Sequence, residues 1–87
     1  MNNSLKNKQN DFIDYLNQKK ITFELMYKDG QVYGFLLENK GYYNIKLKFS
    51  RKNGPILYVN TQNYYNGDDL TEFYSIINEI HELFLEG

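Results

Sequence analysis

The sequence predicts an α+β fold: a two-layer domain in which a four-stranded antiparallel meander carries an N-terminal and a C-terminal helix, in the order α-β-β-β-β-α. Three observations predict it. Apolar residues recur at helical spacing near both ends of the chain, and between them the period changes to two. The strand-like runs are separated by Asp29-Gly30, Lys40-Gly41 and Asn53-Gly54, pairs that suit tight turns. With 87 residues the chain has room for one domain, spanning 1–87, and both helices are expected on the sheet face that bears Phe23 and Ile45.

Residues 1 to 7 are polar and asparagine-rich and read as a frayed start. A first helix is expected from Lys8 to Lys19, with Leu5 as an earlier alternative start. Leu5, Phe12 and Leu16 would share its buried side, Ile13 and Tyr15 would border it, and Lys19 and Lys20 would suit the negative pole of its dipole.

From Ile21 the run ITFELMYK alternates, and Asp29-Gly30 predicts a two-residue hairpin because both central positions need positive φ. That turn pairs Lys28 with Gln31 and Tyr27 with Val32; carried on without interruption, the register pairs Leu25 with Gly34 and Phe23 with Leu36. One apolar face would then hold Ile21, Phe23, Leu25, Tyr27, Val32 and Leu36. Met26, Tyr33, Phe35 and Leu37 would lie on the other face, where they form a candidate homodimer surface. Gly34 interrupts its strand and marks a bulge or a close backbone approach.

The third strand, Tyr42 to Ser50, directs Tyr43, Ile45, Leu47 and Phe49 one way and Tyr42, Asn44, Lys46 and Lys48 the other. An even loop at Lys40-Gly41 would set the apolar group beside Val32 and Leu36. The fourth strand, Ile56 to Thr61, has Pro55 at its start and so suits an edge. A three-residue loop with Gly54 left-handed would bury Leu57 and Val59, whereas an even loop would bury Ile56 and Tyr58.

After the polar connector Gln62 to Gly67, the stretch Asp68 to Glu86 reads as the helix on which the rest depends. Leu70, Phe73, Tyr74, Ile77, Ile80 and Phe84 follow one helical face, with Ile76 and Leu83 at its flank. Asp69 and Glu72 have the spacing of a capping box. The opposite face carries Glu72, Ser75, Glu79, Glu82 and Glu86, an acidic stripe without a lysine or arginine, and Asp68 lies at one end of it.

The formal net charge of -1 conceals a gradient. Residues 1 to 30 hold five basic and four acidic groups, residues 31 to 60 five and one, and residues 61 to 87 six acidic groups and no basic one. Bulk charge therefore argues against generic nucleic-acid binding, and the polarity of the chain is the informative quantity. The absence of cysteine excludes disulfides, thiolate chemistry and cysteine-ligated metals. No signal-like segment and no run near the roughly 20 apolar residues of a membrane span occurs, so a cytoplasmic protein without a membrane partner is expected.

Catalytic signatures are missing. His81 is the sole histidine and has no HExxH-like spacing; no GxGxxG, GxxxxGK[ST] or GxSxG motif is found; helix capping accounts for Asp68, Asp69 and Glu72 without an ion. A non-enzymatic domain without cofactor or metal is expected. Two binding surfaces compete for its function. Asp68, Glu72, Glu79, Glu82 and Glu86 would meet a protein partner with a basic surface, making the domain an inhibitor or accessory module. Tyr42, Lys46, Lys48, Arg51 and Lys52 would instead stack on bases and neutralise phosphates of single-stranded nucleic acid.

The stretch NYYNGDDLTEFYSIINEI, Asn63 to Ile80, with its acidic start and Glu72-Phe73-Tyr74, resembles the C-terminal part of small phage-encoded anti-CRISPR proteins that mimic nucleic acid. The resemblance covers under a quarter of the chain. It implies an acidic surface that docks where a nuclease reads its DNA, with no catalysis of its own.

Overall fold

Helix α1 (Asn2–Gln18), strands β1 (Phe23–Lys28), β2 (Gln31–Asn39), β3 (Tyr43–Ser50) and β4 (Gly54–Thr61) and helix α2 (Gly67–Ile80) follow one another in the expected order. Helix α2 ends in a wider π turn, His81–Leu85. These elements come from a computed structural model of the chain, which describes residues 2–39, 42–61 and 67–85. The strands form one antiparallel sheet in the order β1-β2-β3-β4.

Helix α1 starts at Asn2, ahead of Lys8, and its buried side is Phe12 and Leu16 with Gln9, while Leu5 is exposed. Its end is a left-handed cap at Lys20, φ 59°. The Ile21 amide donates to the Leu16 carbonyl at 2.9 Å and the Lys20 amide to Asn17 at 3.1 Å. This pair of bonds satisfies carbonyls that the helix leaves open, and both Leu16 and Ile21 enter the core. The chain thereby turns straight from helix into sheet.

Both helices lie on one face of the sheet. Phe12 of α1 meets Phe35 edge-on at 5.1 Å, Phe73 of α2 lies 5.8 Å from Tyr43, and Phe84 in the π turn lies 5.0 Å from Phe49. Phe12 also meets Phe84 edge-on at 5.8 Å, which joins the helices to each other. Phe35, Leu37, Ile45, Leu47, Ile76 and Ile80 complete the core at 0% exposure.

The Asp29-Gly30 hairpin forms as expected, with φ 54° and 80°, and Tyr27 pairs with Val32. Beyond that pair the ladder shifts: Met26 pairs with Gly34, Leu25 with Phe35 and Phe23 with Leu37, leaving Tyr33 as the extra residue of a bulge. Three residues, rather than two, then separate Asn39 from its partner Tyr43. The first insertion inverts β2 from Gly34 onward against the expected register, and the second restores the expected facing of β3. Phe35 and Leu37 face the helices, and Leu36 faces away. The expected dimer surface of Met26, Tyr33, Phe35 and Leu37 is therefore not a surface, because its two largest apolar contributors are wholly buried and Met26 and Tyr33 are only half-exposed.

Between β3 and β4 Gly54 is left-handed, φ 73°, and Ser50 pairs with Gly54 across three residues. Leu57 accordingly pairs with Leu47 and packs on the core. Val59 pairs with Ile45 yet stays exposed, since β4 is the outer strand.

Gly34 lies directly after the bulge and is closely surrounded. A Cβ there would stand 2.4 Å from Met26 Cε and 2.8 Å from the Leu47 carbonyl oxygen. The methionine end can swing away, but a backbone oxygen inside the ladder cannot. Gly34→Ala is expected to destabilise the domain by about 1–3 kcal/mol, read as a lower denaturation midpoint. A simultaneous Met26→Ala change should not restore it.

Candidate functional site

With both helices on one side, no described element covers the other sheet face. In-register rows cross it: Glu24, Leu36, Lys46 and Tyr58 form one, and Met26, Gly34, Lys48 and Ile56 the next. Lys46 is exposed and lies beside Tyr58, which is 52% exposed. Lys48, half-buried, lies between Ile56 and Gly34, and the end of the Met26 side chain reaches over Gly34. A third row holds Glu38, Asn44 and Asn60, and there Asn44 Nδ2 donates to Glu38 Oε2 at 3.1 Å.

Arg51 and Lys52 are exposed in the three-residue turn that closes β3 and β4. The turn is held by Ser50, whose Oγ accepts the Lys52 and Asn53 amides at 3.2 Å each. These two cations follow Lys46 and Lys48 along the chain, just past the end of β3. Tyr42 departs from expectation: it precedes β3, donates its amide to the Asn39 carbonyl at 2.6 Å, and packs half-buried against the core at the other end of the strand. The aromatic ring beside the lysines is Tyr58. The left-handed Gly54, which sets Leu57 against Leu47 on the core side, turns Tyr58 to the other face.

The acidic residues are dispersed by a rotation of α2. Its most buried line runs through Ile76, Ile80 and Phe84, while Tyr74, expected in the core, is 57% exposed. Glu72 and Glu79 consequently border the packed side and are half-buried. Tyr43 donates its hydroxyl to Glu72 Oε1, and Asn39 Nδ2 donates to the same oxygen at 3.2 Å. Glu72 thus ties α2 to the β2–β3 end of the sheet, and α2 begins at Gly67, upstream of the expected cap at Asp69. Burial, then the carboxylates of Glu79 and Glu72, push the Tyr15 hydroxyl above its ordinary pKa. Asp68 and Glu82 are exposed, and Glu86 lies outside the described residues.

Asp68, Thr71, Glu72 and Ser75 face Tyr15, Lys19 and Ile21 across a cleft of about 220 Å³ between the helices. That is below the roughly 300 Å³ at which small-molecule pockets begin. His81 is exposed, and among the described residues no group of three or more His, Asp or Glu is arranged to hold a metal ion. Among them, too, no helix is long and apolar enough to cross a membrane. Comparison with known proteins finds no matching family model, no similar curated protein and no similar solved structure.

Proposed function

We propose that this domain is a non-enzymatic binding module that takes up single-stranded nucleic acid on its open sheet face. The observation that carries the reading is the juxtaposition of Lys46 with Tyr58 on that face, continued by Lys48 and by Arg51 and Lys52 at the turn. A base has a π-face for the tyrosine ring, and the phosphates flanking it reach lysines spaced along one strand. Met26, Leu36 and Ile56 offer apolar area beside the ring. The alternative, a protein inhibitor acting through Asp68, Glu72, Glu79, Glu82 and Glu86, draws less support, because Glu72 and Glu79 are half-buried at the border of the packed side and Glu72 accepts from Asn39.

Fluorescence titration against short labelled DNA and RNA single strands at two salt concentrations tests the reading. Replacing Lys46, Lys48, Arg51 and Lys52 by alanine should flatten the salt dependence, by about 0.7 in the log–log slope for each phosphate that is no longer neutralised. Tyr58→Ala should cost about 1–3 kcal/mol of binding at either salt. Asp68→Lys and Glu82→Lys should leave the affinity in place or raise it. A folded native protein that binds neither strand at low salt would overturn the proposal. Salt-sensitive capture of a basic protein, abolished by the Asp68 and Glu82 changes, would favour the inhibitor reading.

A further inference from the structure

We propose that two copies of the chain pair through the outer edge of β4, antiparallel about a two-fold axis, to give one continuous eight-stranded sheet. The inference stands on the contrast between the two edges of the sheet, and it is independent of what the open face binds.

Edge strands present unpaired backbone donors and acceptors, and proteins that remain monomeric protect them with charges, bulges or short length. Strand β1 is the better protected of the two edges. It is 6 residues long, carries Glu24 and Lys28, and meets a bulge at Met26/Tyr27. Strand β4 is 8 residues long, its ladder to β3 runs from Gly54 to Thr61 without a shift, and Ile56 to Thr61 contain no charge. Pro55 guards only its start. Its side chains on the helix side include Val59, 44% exposed although it pairs with a fully buried Ile45. That exposure is the unpaired flank of the core.

Symmetry restricts the register. A two-fold axis normal to the sheet keeps each face on its own side, and residues directly opposite in an antiparallel pair share a face. The two opposed residue numbers must then differ by an even number, so one residue lies across from its own copy. Centring on Tyr58 pairs the whole of Pro55 to Thr61, places Leu57 beside Val59 of the second copy, and brings no like charges together within the strand pair. All helices fall on one side. On the other side Lys46, Lys48 and Tyr58 of both copies join into a single surface twice as long.

An edge this short covers less than the about 1,200–2,000 Å² of a standard interface, so association in the micromolar range is expected. Sedimentation equilibrium of the native chain, without nucleic acid, should give twice the chain mass at high micromolar concentration. Val59→Lys should return it to the single mass with an unchanged circular dichroism spectrum. Because the chain has no cysteine, Tyr58→Cys supplies one thiol per copy, and mild oxidation should yield a disulfide-linked dimer, whereas Leu57→Cys and Val59→Cys should not crosslink efficiently. A native chain that remains monomeric at those concentrations, or a dimer that survives Val59→Lys, would overturn the pairing. Nucleic-acid binding by a monomer would leave the open-face reading intact while sinking this one.

Discussion

Phe35→Glu is expected to leave the chain without a cooperative unfolding transition. Phe35 is wholly buried, and its ring meets Phe12 of α1 at 5.1 Å and Phe49 of β3 at 6.0 Å. Truncation to alanine at such a site removes about 3–5 kcal/mol. A domain of this size has roughly 4–13 kcal/mol in total, so even the alanine variant should be marginal. The glutamate adds a carboxylate with no cation in the surrounding cluster of Phe12, Leu37, Leu47 and Phe84, and an unpaired buried charge costs several kcal/mol more. Circular dichroism against denaturant reads the outcome. If the variant stayed folded and merely changed its sedimenting mass, Phe35 would be on the outer face and the inverted register of β2 would be wrong.

Ile76→Ala should be the second large effect, a loss of about 2–5 kcal/mol, set against less than about 0.5 kcal/mol for Tyr74→Ala. The two residues are neighbours on α2, at 0% and 57% exposure respectively. Their ranking therefore reports the rotation of the helix about its axis. That rotation also decides the fate of the acidic residues, because a helix turned to bury Tyr74 would free Glu72 and Glu79 for a partner. Denaturation midpoints at unchanged slope give both numbers. The reverse ranking would restore the acidic stripe as a continuous ridge.

The order of elements, the shared helix face and the Asp29-Gly30 hairpin were legible in the sequence, because period and turn chemistry are local signals, whereas the turn at Gly54 left two registers open. Strand β2 was not. Its alternation, Val32-Tyr33-Gly34-Phe35-Leu36-Leu37, is apolar on both faces, so pattern alone cannot choose a register. The bulge at Tyr33 and the odd connection to Tyr43 each shift the chain by one residue. They compensate, which is why Phe23, Leu25, Ile45 and Leu47 still face the side expected of them. For the candidate site, Lys46 and Lys48 followed from strict alternation in β3, but Tyr42 fell just outside the strand. The acidic stripe failed for a different reason. Phe73, Tyr74, Ile76 and Ile77 offer two overlapping apolar arcs, and only the sheet beneath selects the one centred on Ile76.

The contact between Phe12 and Phe84 joins residues near opposite ends of the sequence, with the whole meander between them. Hairpins of neighbouring strands close short loops and form at little entropic cost, whereas this ring pair closes a loop that contains the whole meander. A sheet formed without it would expose Phe35 and Phe49, the rings on which both helices converge. Each helix thus supplies part of the wall against which the other packs. Docking of either one alone gains only a fraction of the burial, so the domain is expected to melt as one unit although its strand pairings are all local.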